Sequence, residues 1–166
     1  MAFATPEQFL KTFAGIRKRT RRLLDLVPAD QLEWKPGEGR FSLGDLFRHI
    51  AASERFMWAE NAAFRPGRYS GCGEDLASGL DAVVAFFDRC HEESMAIFEG
   101  LSAEDLARET TLPYGNKMVL GKWLILMTEH EVHHRGQIYT YLGLMGIKTP
   151  PIFGLTENEL VKNSQG

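Results

Sequence analysis

Two histidines placed four residues apart have the clearest chemical potential in this sequence. His130 and His134 fall on a stripe of apolar residues at steps of three and four, which predicts the buried face of a helix. The stripe contains Trp123, Met127, Ile138 and Tyr141. Side chains at this spacing stack one turn above the other, so both imidazoles can bind the same metal ion. The alternative is a pair of core histidines whose ring nitrogens hydrogen-bond to carbonyl groups or to Glu54 and Glu129.

A third histidine lies on another predicted helix. His49 comes three residues after Leu46 and one before Ile50, at the edge of an apolar face from which it can reach into a bundle. His91 is flanked by acidic residues and is expected to face solvent, whereas His133 is rotated away from the inward pair. Three imidazole ligands leave a fourth coordination position open, which is typical of catalytic rather than structural metal sites.

Four long helices are predicted to position these histidines, over residues 5–27, 42–65, 74–99 and 120–145. The predicted N-caps are Thr5, Ser42, Ser102 and Thr156. A short hairpin is predicted over residues 110–119. The predicted fold is therefore all-α: a four-helix bundle with a short hairpin-like insert before the last long helix and a short C-terminal helix, in a single domain over residues 1–166. Because the loops are long enough to cross the bundle, its topology is left open.

Each of the three histidines belongs to a longer motif. Phe41–Ile50 (FSLGDLFRHI) contains His49, and Glu129–Ile138 (EHEVHHRGQI) contains the pair. Leu32–Pro36 and the Pro150–Pro151 pair accompany them. Together these segments resemble the DinB/YfiT-like superfamily of metalloenzymes, the damage-inducible DinB-like proteins, and the resemblance covers essentially the whole chain.

The resemblance implies a four-helix bundle, commonly a homodimer, with a divalent metal held by His49, His130 and His134. Zn²⁺ or Ni²⁺ is expected, and Mn²⁺ or Fe²⁺ is compatible with imidazole ligands. Some members of the family are thiol transferases or isomerases that use bacillithiol or mycothiol. The expected function is a metal-dependent enzyme of the thiol S-transferase or hydrolase type, with a small-molecule substrate and, for a transferase, a low-molecular-weight thiol as co-substrate. The side chains expected around the ligands are Glu54, Glu131, His133 and Gln137.

The segment His130–His134 also matches HExxH, the zinc peptidase motif, in which Glu131 would act as general base. A peptidase would need a further downstream ligand, for which Glu157 is the candidate. The extended form of the motif requires glycine where this chain has Gln137. Little strand is predicted upstream to form a substrate-binding edge, which also argues against a peptidase.

A metal-binding or stress-related interaction module without catalysis is the other alternative. Its working surface would be the basic run Arg17–Arg22, which has five cations in six residues. The helical pattern of Ile16, Thr20 and Leu23 places this run on the outer side of a packed helix, so a solvated face is the simpler interpretation.

The composition narrows the class of protein. The 166 residues are 44% hydrophobic and have a formal net charge of −3, which favours a globular core and makes a nucleic-acid partner unexpected. The longest unbroken apolar run, Ala82–Phe87, is far shorter than the about 18 residues of a membrane-spanning helix. The N-terminus has no signal-peptide pattern, and Cys72 and Cys90 form no CxxC motif. A cytoplasmic protein without disulfides is expected.

Overall fold

A computed structural model describes residues 2–165 of the chain. In chain order the elements are α1 (Pro6–Leu24), α2 (Leu43–Ser53), α3 (Ala59–Ala62), α4 (Leu80–Phe98), α5 (Ala103–Ala107), β1 (Glu109–Thr111), β2 (Lys117–Val119), α6 (Leu120–Leu144) and α7 (Glu157–Ser164). Helices α1 and α2 each pack against both α4 and α6. The predicted all-α four-helix bundle is confirmed, with the hairpin before the last long helix and a short C-terminal helix.

Polar caps begin four of the helices at the predicted residues, Thr5, Ser42, Ser102 and Thr156. At the start of α2 the Ser42 hydroxyl accepts from the Asp45 backbone N–H at 3.0 Å. The Asp45 carboxylate accepts from the Ser42 backbone N–H at 2.9 Å in return. Both unpaired donors are thereby satisfied, which anchors the first turn of the helix that presents His49.

The second predicted helix, residues 42–65, is not continuous. One turn of π-helix, Glu54–Trp58, separates α2 from α3, and the Ala59 N–H donates to the Glu54 carbonyl five residues earlier. Such a turn inserts one extra residue and shifts the helix face that follows. Glu54 and Trp58, the first and last residues of this turn, are both buried. No proline or glycine marks the turn in the sequence.

In two other helices, one boundary differs by several residues from the sequence prediction. Helix α4 begins at Leu80 rather than at residue 74, because Gly79 has a φ of 82°, in a left-handed region that an α-helix cannot pass through. Helix α1 ends at Leu24 instead of Val27. The N–H groups of Leu26 and Val27 bond to carbonyls only three residues earlier, as in a tightened final turn.

The apolar core consists of two clusters joined by α6. The cluster around α2 and α4 receives Ile138, Tyr141 and Leu142 from α6. The cluster around α1 and the hairpin receives Trp123, Leu124 and Met127. Residues 130–134 of α6 lie between these two contributions, so the histidine pair occupies the stretch of helix where the apolar clusters meet.

The hairpin closes one end of the second cluster. Strands β1 and β2 are antiparallel, with Thr110 opposite Met118. Asn61 connects the hairpin to the helices, because its carbonyl accepts from the Thr110 hydroxyl at 2.7 Å and its side chain accepts from the Trp123 indole N–H at 3.1 Å. Over residues 2–165, the helices are all too short or too polar to cross a membrane.

Candidate metal centre

The predicted pair on α6 comes together as the helical spacing requires. The Nε2 atoms of His130 and His134 are 3.1 Å apart, and their ring centroids are separated by 4.4 Å. His134 is 7% exposed, whereas His130 is partly buried. Both rings therefore face the bundle interior, on the stripe that also contains Met127 and Ile138.

His49 reaches the same point from α2. Its Nε2 atom lies 2.9 Å from Nε2 of His130, and the three imidazoles each offer a nitrogen within 4.8 Å of the others. Two imidazole nitrogens bound to one tetrahedral zinc ion, with bonds of 2.0–2.1 Å, would be about 3.3 Å apart. The observed separations of 2.9 and 3.1 Å are close to this value. The histidine cluster, His49, His130 and His134, fits a single divalent ion.

The second ring nitrogens of two of these histidines have polar partners. Nδ1 of His134 lies 2.7 Å from Oε1 of Gln137, and Nδ1 of His49 lies 3.1 Å from the hydroxyl of Tyr69. An amide oxygen only accepts, so Nδ1 of His134 carries the proton and Nε2 keeps its lone pair. Partners of this kind fix the tautomer and the ring orientation of metal-binding histidines.

Sequence reasoning identified Gln137 but missed Tyr69. Tyr69 lies in the predicted loop between α3 and α4, and no periodic pattern indicates where a loop side chain points. Partial burial of the half-exposed Tyr69, together with a hydrogen bond to Cys72, raises the pKa of Tyr69 to about 12. Its hydroxyl is therefore protonated at neutral pH and can accept the Nδ1–H of His49 without carrying charge.

The electrostatic environment keeps the histidine cluster neutral. Burial, followed by the effect of the neighbouring imidazoles, lowers the pKa of His49 to about 4 and that of His130 to about 3. Burial also lowers the pKa of His134, although the hydrogen bond to Gln137 acts in the opposite direction. At neutral pH all three rings are thus in the uncharged form that binds metal ions.

Aromatic rings cover the histidine cluster on two sides. The Trp58 ring lies 4.7 Å from His130, centroid to centroid, and the Phe41 ring lies 5.3 Å from His49 and 6.3 Å from His134. Trp58 is 4% exposed, and its indole N–H has no hydrogen-bond partner within residues 2–165. A buried donor without a partner is unfavourable by itself and is available to a polar atom of a bound molecule.

Glu54 and Glu131 were expected around the histidines, but they make their polar contacts elsewhere. Both pair with Arg17, at 3.0 Å for Glu131, and Glu54 also contacts Nδ1 of His91 at 2.9 Å. We name Arg17, Glu54, Glu131 and His91 the ion cluster. Burial raises the pKa of Glu131 despite the nearby Arg17. His91, expected to face solvent, is held in this cluster because Glu54 is buried beside it.

The positions of Glu131 and Glu157 argue against the peptidase alternative. Glu131 is 2% exposed and bound to Arg17 in the core, so it is not available as the general base of a peptidase. Glu157 is exposed on α7 and is not among the residues that gather with the histidines. His133 is exposed, with its ring 4.9 Å from that of His134.

The basic run Arg17–Arg22 is not a uniform solvated face. Arg17 is 4% exposed and belongs to the ion cluster. Arg21 donates to Asp88 at 2.6 Å, and Arg22 donates to the Pro151 carbonyl at 2.7 Å. Since these cations are engaged within the chain, the run offers a partner far less free positive charge than its sequence indicates.

Comparison with known proteins identifies relatives that are similar to this chain in sequence and in fold. YjoA of Bacillus subtilis (strain 168), an uncharacterised protein, is 27% identical over 148 residues, which cover 88% of this chain and 94% of YjoA. The crystal structure of YjoA superposes with a TM-score of 0.71 at 26% identity, over 87% of this chain and 95% of that one.

Two more distant solved structures share the fold. YfiT of Bacillus subtilis, described as "a probable metal-dependent hydrolase with an unusual four-helix bundle topology", has a TM-score of 0.68 at 15% identity, over 86% of this chain and 89% of that one. A mycothiol-dependent maleylpyruvate isomerase has a TM-score of 0.65 at 15% identity, over 80% of this chain and 60% of that one. The sequence model of the DinB superfamily matches residues 12–138, which include all three histidines. The chain belongs to the DinB superfamily.

Proposed function

We propose that this protein is a divalent-metal-dependent enzyme of the thiol S-transferase or hydrolase type, with the metal held by His49, His130 and His134. The observation that carries the proposal is the spacing of the three Nε2 atoms, 2.9 and 3.1 Å between neighbours. Three neutral imidazoles at this distance from one another repel unless protons or a cation lie between them. A divalent ion satisfies all three lone pairs at once.

Gln137 and Tyr69 have the role of holding two of the ligands in place. Each engages the Nδ1 atom of its histidine, which directs Nε2 toward the other two rings. A bound divalent ion would act as a Lewis acid with an open position, lowering the pKa of a thiol or water there toward neutrality. Phe41 and Trp58 limit the access of bulk water, and the free Trp58 N–H can donate to an oxygen or sulfur atom of the substrate.

The choice of metal and of co-substrate follows from the ligands and the relatives. Imidazole nitrogens are good ligands for Zn²⁺ and Ni²⁺, the ions we propose, and Fe²⁺ and Mn²⁺ are compatible with the same ligands. The description of YfiT as a metal-dependent hydrolase supports hydrolysis, and the mycothiol dependence of the isomerase supports a low-molecular-weight thiol as co-substrate. Both proteins are similar to this chain in fold alone, so neither reaction type is favoured over the other.

We propose further that the protein acts on a small molecule as a cytoplasmic homodimer. Large apolar side chains are exposed near the C-terminus, with Leu144 at 65% and Phe153 at 86%. Exposed apolar side chains are typical of surfaces that associate when they form a contiguous patch. Light scattering after size-exclusion chromatography tests the dimer, since a monomer mass of 18.7 kDa at micromolar concentration would contradict it.

Elemental analysis of protein purified without a metal-binding tag tests the metal. We expect near-stoichiometric zinc or nickel in the wild type, and loss of that metal in His134→Ala. His133→Ala is the matched control, because this neighbouring histidine is exposed and lies outside the cluster. Absence of metal from the wild type, even after incubation with zinc, nickel and manganese, would contradict the proposal.

Activity assays then separate the two reaction types. Metal-loaded protein is incubated with a reactive electrophile in the presence and absence of a low-molecular-weight thiol, and separately with activated esters. A transferase consumes the electrophile only when the thiol is present, whereas a hydrolase cleaves the ester without thiol. His133→Ala is expected to match the wild type in either assay, and His134→Ala to be inactive.

A further inference from the structure

A cavity of about 400 Å³ opens beside the histidine cluster. Its lining residues are Pro36, Gly39, Arg40, Phe41, Gln137 and Tyr141. Two of them also form the wall of the candidate metal centre: the Phe41 ring packs near His49 and His134, and Gln137 engages Nδ1 of His134. The cavity and the histidine cluster are therefore adjacent and share side chains.

The polar side chains of this cavity are donors. Arg40 is exposed, and within residues 2–165 its guanidinium makes no ion pair or hydrogen bond with another group of the chain. Gln137 uses its amide oxygen on His134, which leaves its NH₂ group as the free end. Tyr141 adds a hydroxyl. None of the six lining residues is acidic, so the cavity combines one positive charge with neutral donors.

The rings of Phe41 and Tyr141, together with Pro36, form the apolar part of the cavity. Tyr141 is 8% exposed and packs edge-on against Trp34, with centroids 5.6 Å apart. Phe41 is 36% exposed and lies on the side of the histidines. A molecule bound here would have its charged end near Arg40 and a hydrophobic body against these rings.

We propose that the cavity is the substrate site of the metal centre and that it binds the carboxylate of an organic acid through Arg40 and the Gln137 amide. A planar carboxylate matches the two parallel N–H groups of a guanidinium, and a single cation balances a single negative charge. A phosphate dianion would leave charge unbalanced in this lining. This inference rests on the proposed function in one respect: the bound acid is a substrate only if the metal centre is catalytic.

Titration of the protein with hydrocinnamate and with its neutral analogue hydrocinnamide, followed by calorimetry or NMR, tests the proposal. We expect hydrocinnamate to bind with a Kd of about 1 mM, as befits a ligand of this size, and about tenfold more tightly than the amide. Arg40→Gln should abolish this preference. Arg89→Gln is the matched control, since Arg89 is an exposed arginine on α4 that does not line the cavity.

The titrations are carried out on metal-loaded protein and on protein stripped with a chelator. A carboxylate preference that depends on Arg40 in both forms supports the proposal, and it does so even if the metal itself fails to bind as proposed. Equal binding of the acid and the amide, a preference unchanged in Arg40→Gln, tighter binding of inorganic phosphate, or no saturable binding of either probe would each overturn it. Arg40→Gln should retain the metal content of the wild type, because Arg40 contacts no histidine of the cluster.

Discussion

The Nδ1 atom of His134 lies 2.7 Å from the Oε1 atom of Gln137, one turn further along α6. A single helix thus supplies a candidate ligand and the group that orients it. His49 has the corresponding contact with Tyr69, but this partner comes from a loop twenty residues away in the chain. The two contacts differ in rigidity, since a partner on the same helix moves with its histidine and a loop partner does not.

Replacement of Gln137 by methionine should weaken metal binding. Gln137→Met keeps the size of the side chain but removes the acceptor for Nδ1 of His134, and loss of such a partner lowers metal affinity by about 10–100-fold. Zinc affinity is measured by competition with a chromophoric chelator. Gln137→Glu is the control, because it preserves an acceptor at the same place. Wild-type affinity in Gln137→Met would show that the contact has no part in metal binding.

Replacement of Tyr69 by phenylalanine should lower the metal affinity less than replacement of Gln137 by methionine does. Tyr69 is 52% exposed, so water can take the place of its hydroxyl at Nδ1 of His49. We expect a loss of zinc affinity of about tenfold or less in the same competition assay. A loss larger than that of Gln137→Met would contradict the difference in rigidity inferred from the two contacts.

Removal of Arg17 should destabilise the whole fold. Arg17→Met leaves Glu54 and Glu131 buried without their counter-charge, which costs about 3–5 kcal/mol of unfolding free energy. Urea denaturation monitored by circular dichroism measures this change. Lys18→Met, at the exposed neighbouring position, should change the stability by less than about 0.5 kcal/mol. Equal effects of both substitutions would mean that the ion cluster is not a stabilising element.

The stability of the metal-free protein should fall in acid because of the histidine cluster. Histidines of the unfolded chain titrate near pH 6.5, whereas His49 and His130 in the folded protein have a pKa of about 4 and about 3. Between these values the unfolded chain binds more protons than the folded one, so the free energy of unfolding decreases as the pH falls below 6.5. Above pH 6.5 both states have neutral rings, and these residues add no pH dependence.

Urea denaturation of the metal-free protein at a series of pH values checks this effect. The double variant His49→Gln, His130→Gln should lose less stability than the wild type between pH 6.5 and pH 4. The raised pKa of Glu131 acts in the opposite direction, but it is present in both proteins and leaves the difference between them unchanged. Parallel pH profiles would show that the two histidines titrate normally in the folded state.

Much of the bundle was predictable because its signals are local. Ser42 and Thr156 begin helices through hydrogen bonds to N–H groups three residues ahead, and this geometry depends on the neighbouring sequence alone. The inward direction of His130 and His134 follows from the 3.6-residue period of α6. His49 could be placed on an apolar helix edge for the same reason, although periodicity alone does not determine that it meets the other two.

Tertiary packing decided the features that have no local signal. The π turn Glu54–Trp58 contains no proline or glycine, and it is compatible with the fold because Glu54 then meets Arg17 and Trp58 meets His130. Tyr69 reaches His49 only because the loop between α3 and α4 folds back over α2. In the sequence, Arg17 is one of five cations in a basic run. In the structure, two buried carboxylates from other helices bind it in the core.

The sequence by itself therefore determined the long helices in outline, their polar caps and the helix faces on which the three histidines lie, because each of these depends on residues within a turn or two of one another. The tertiary structure alone decided which polar side chains surround those histidines and which carboxylates are withdrawn into the ion cluster. Such contacts join residues far apart in the chain, and their stability depends on burial and charge pairing that no local pattern encodes.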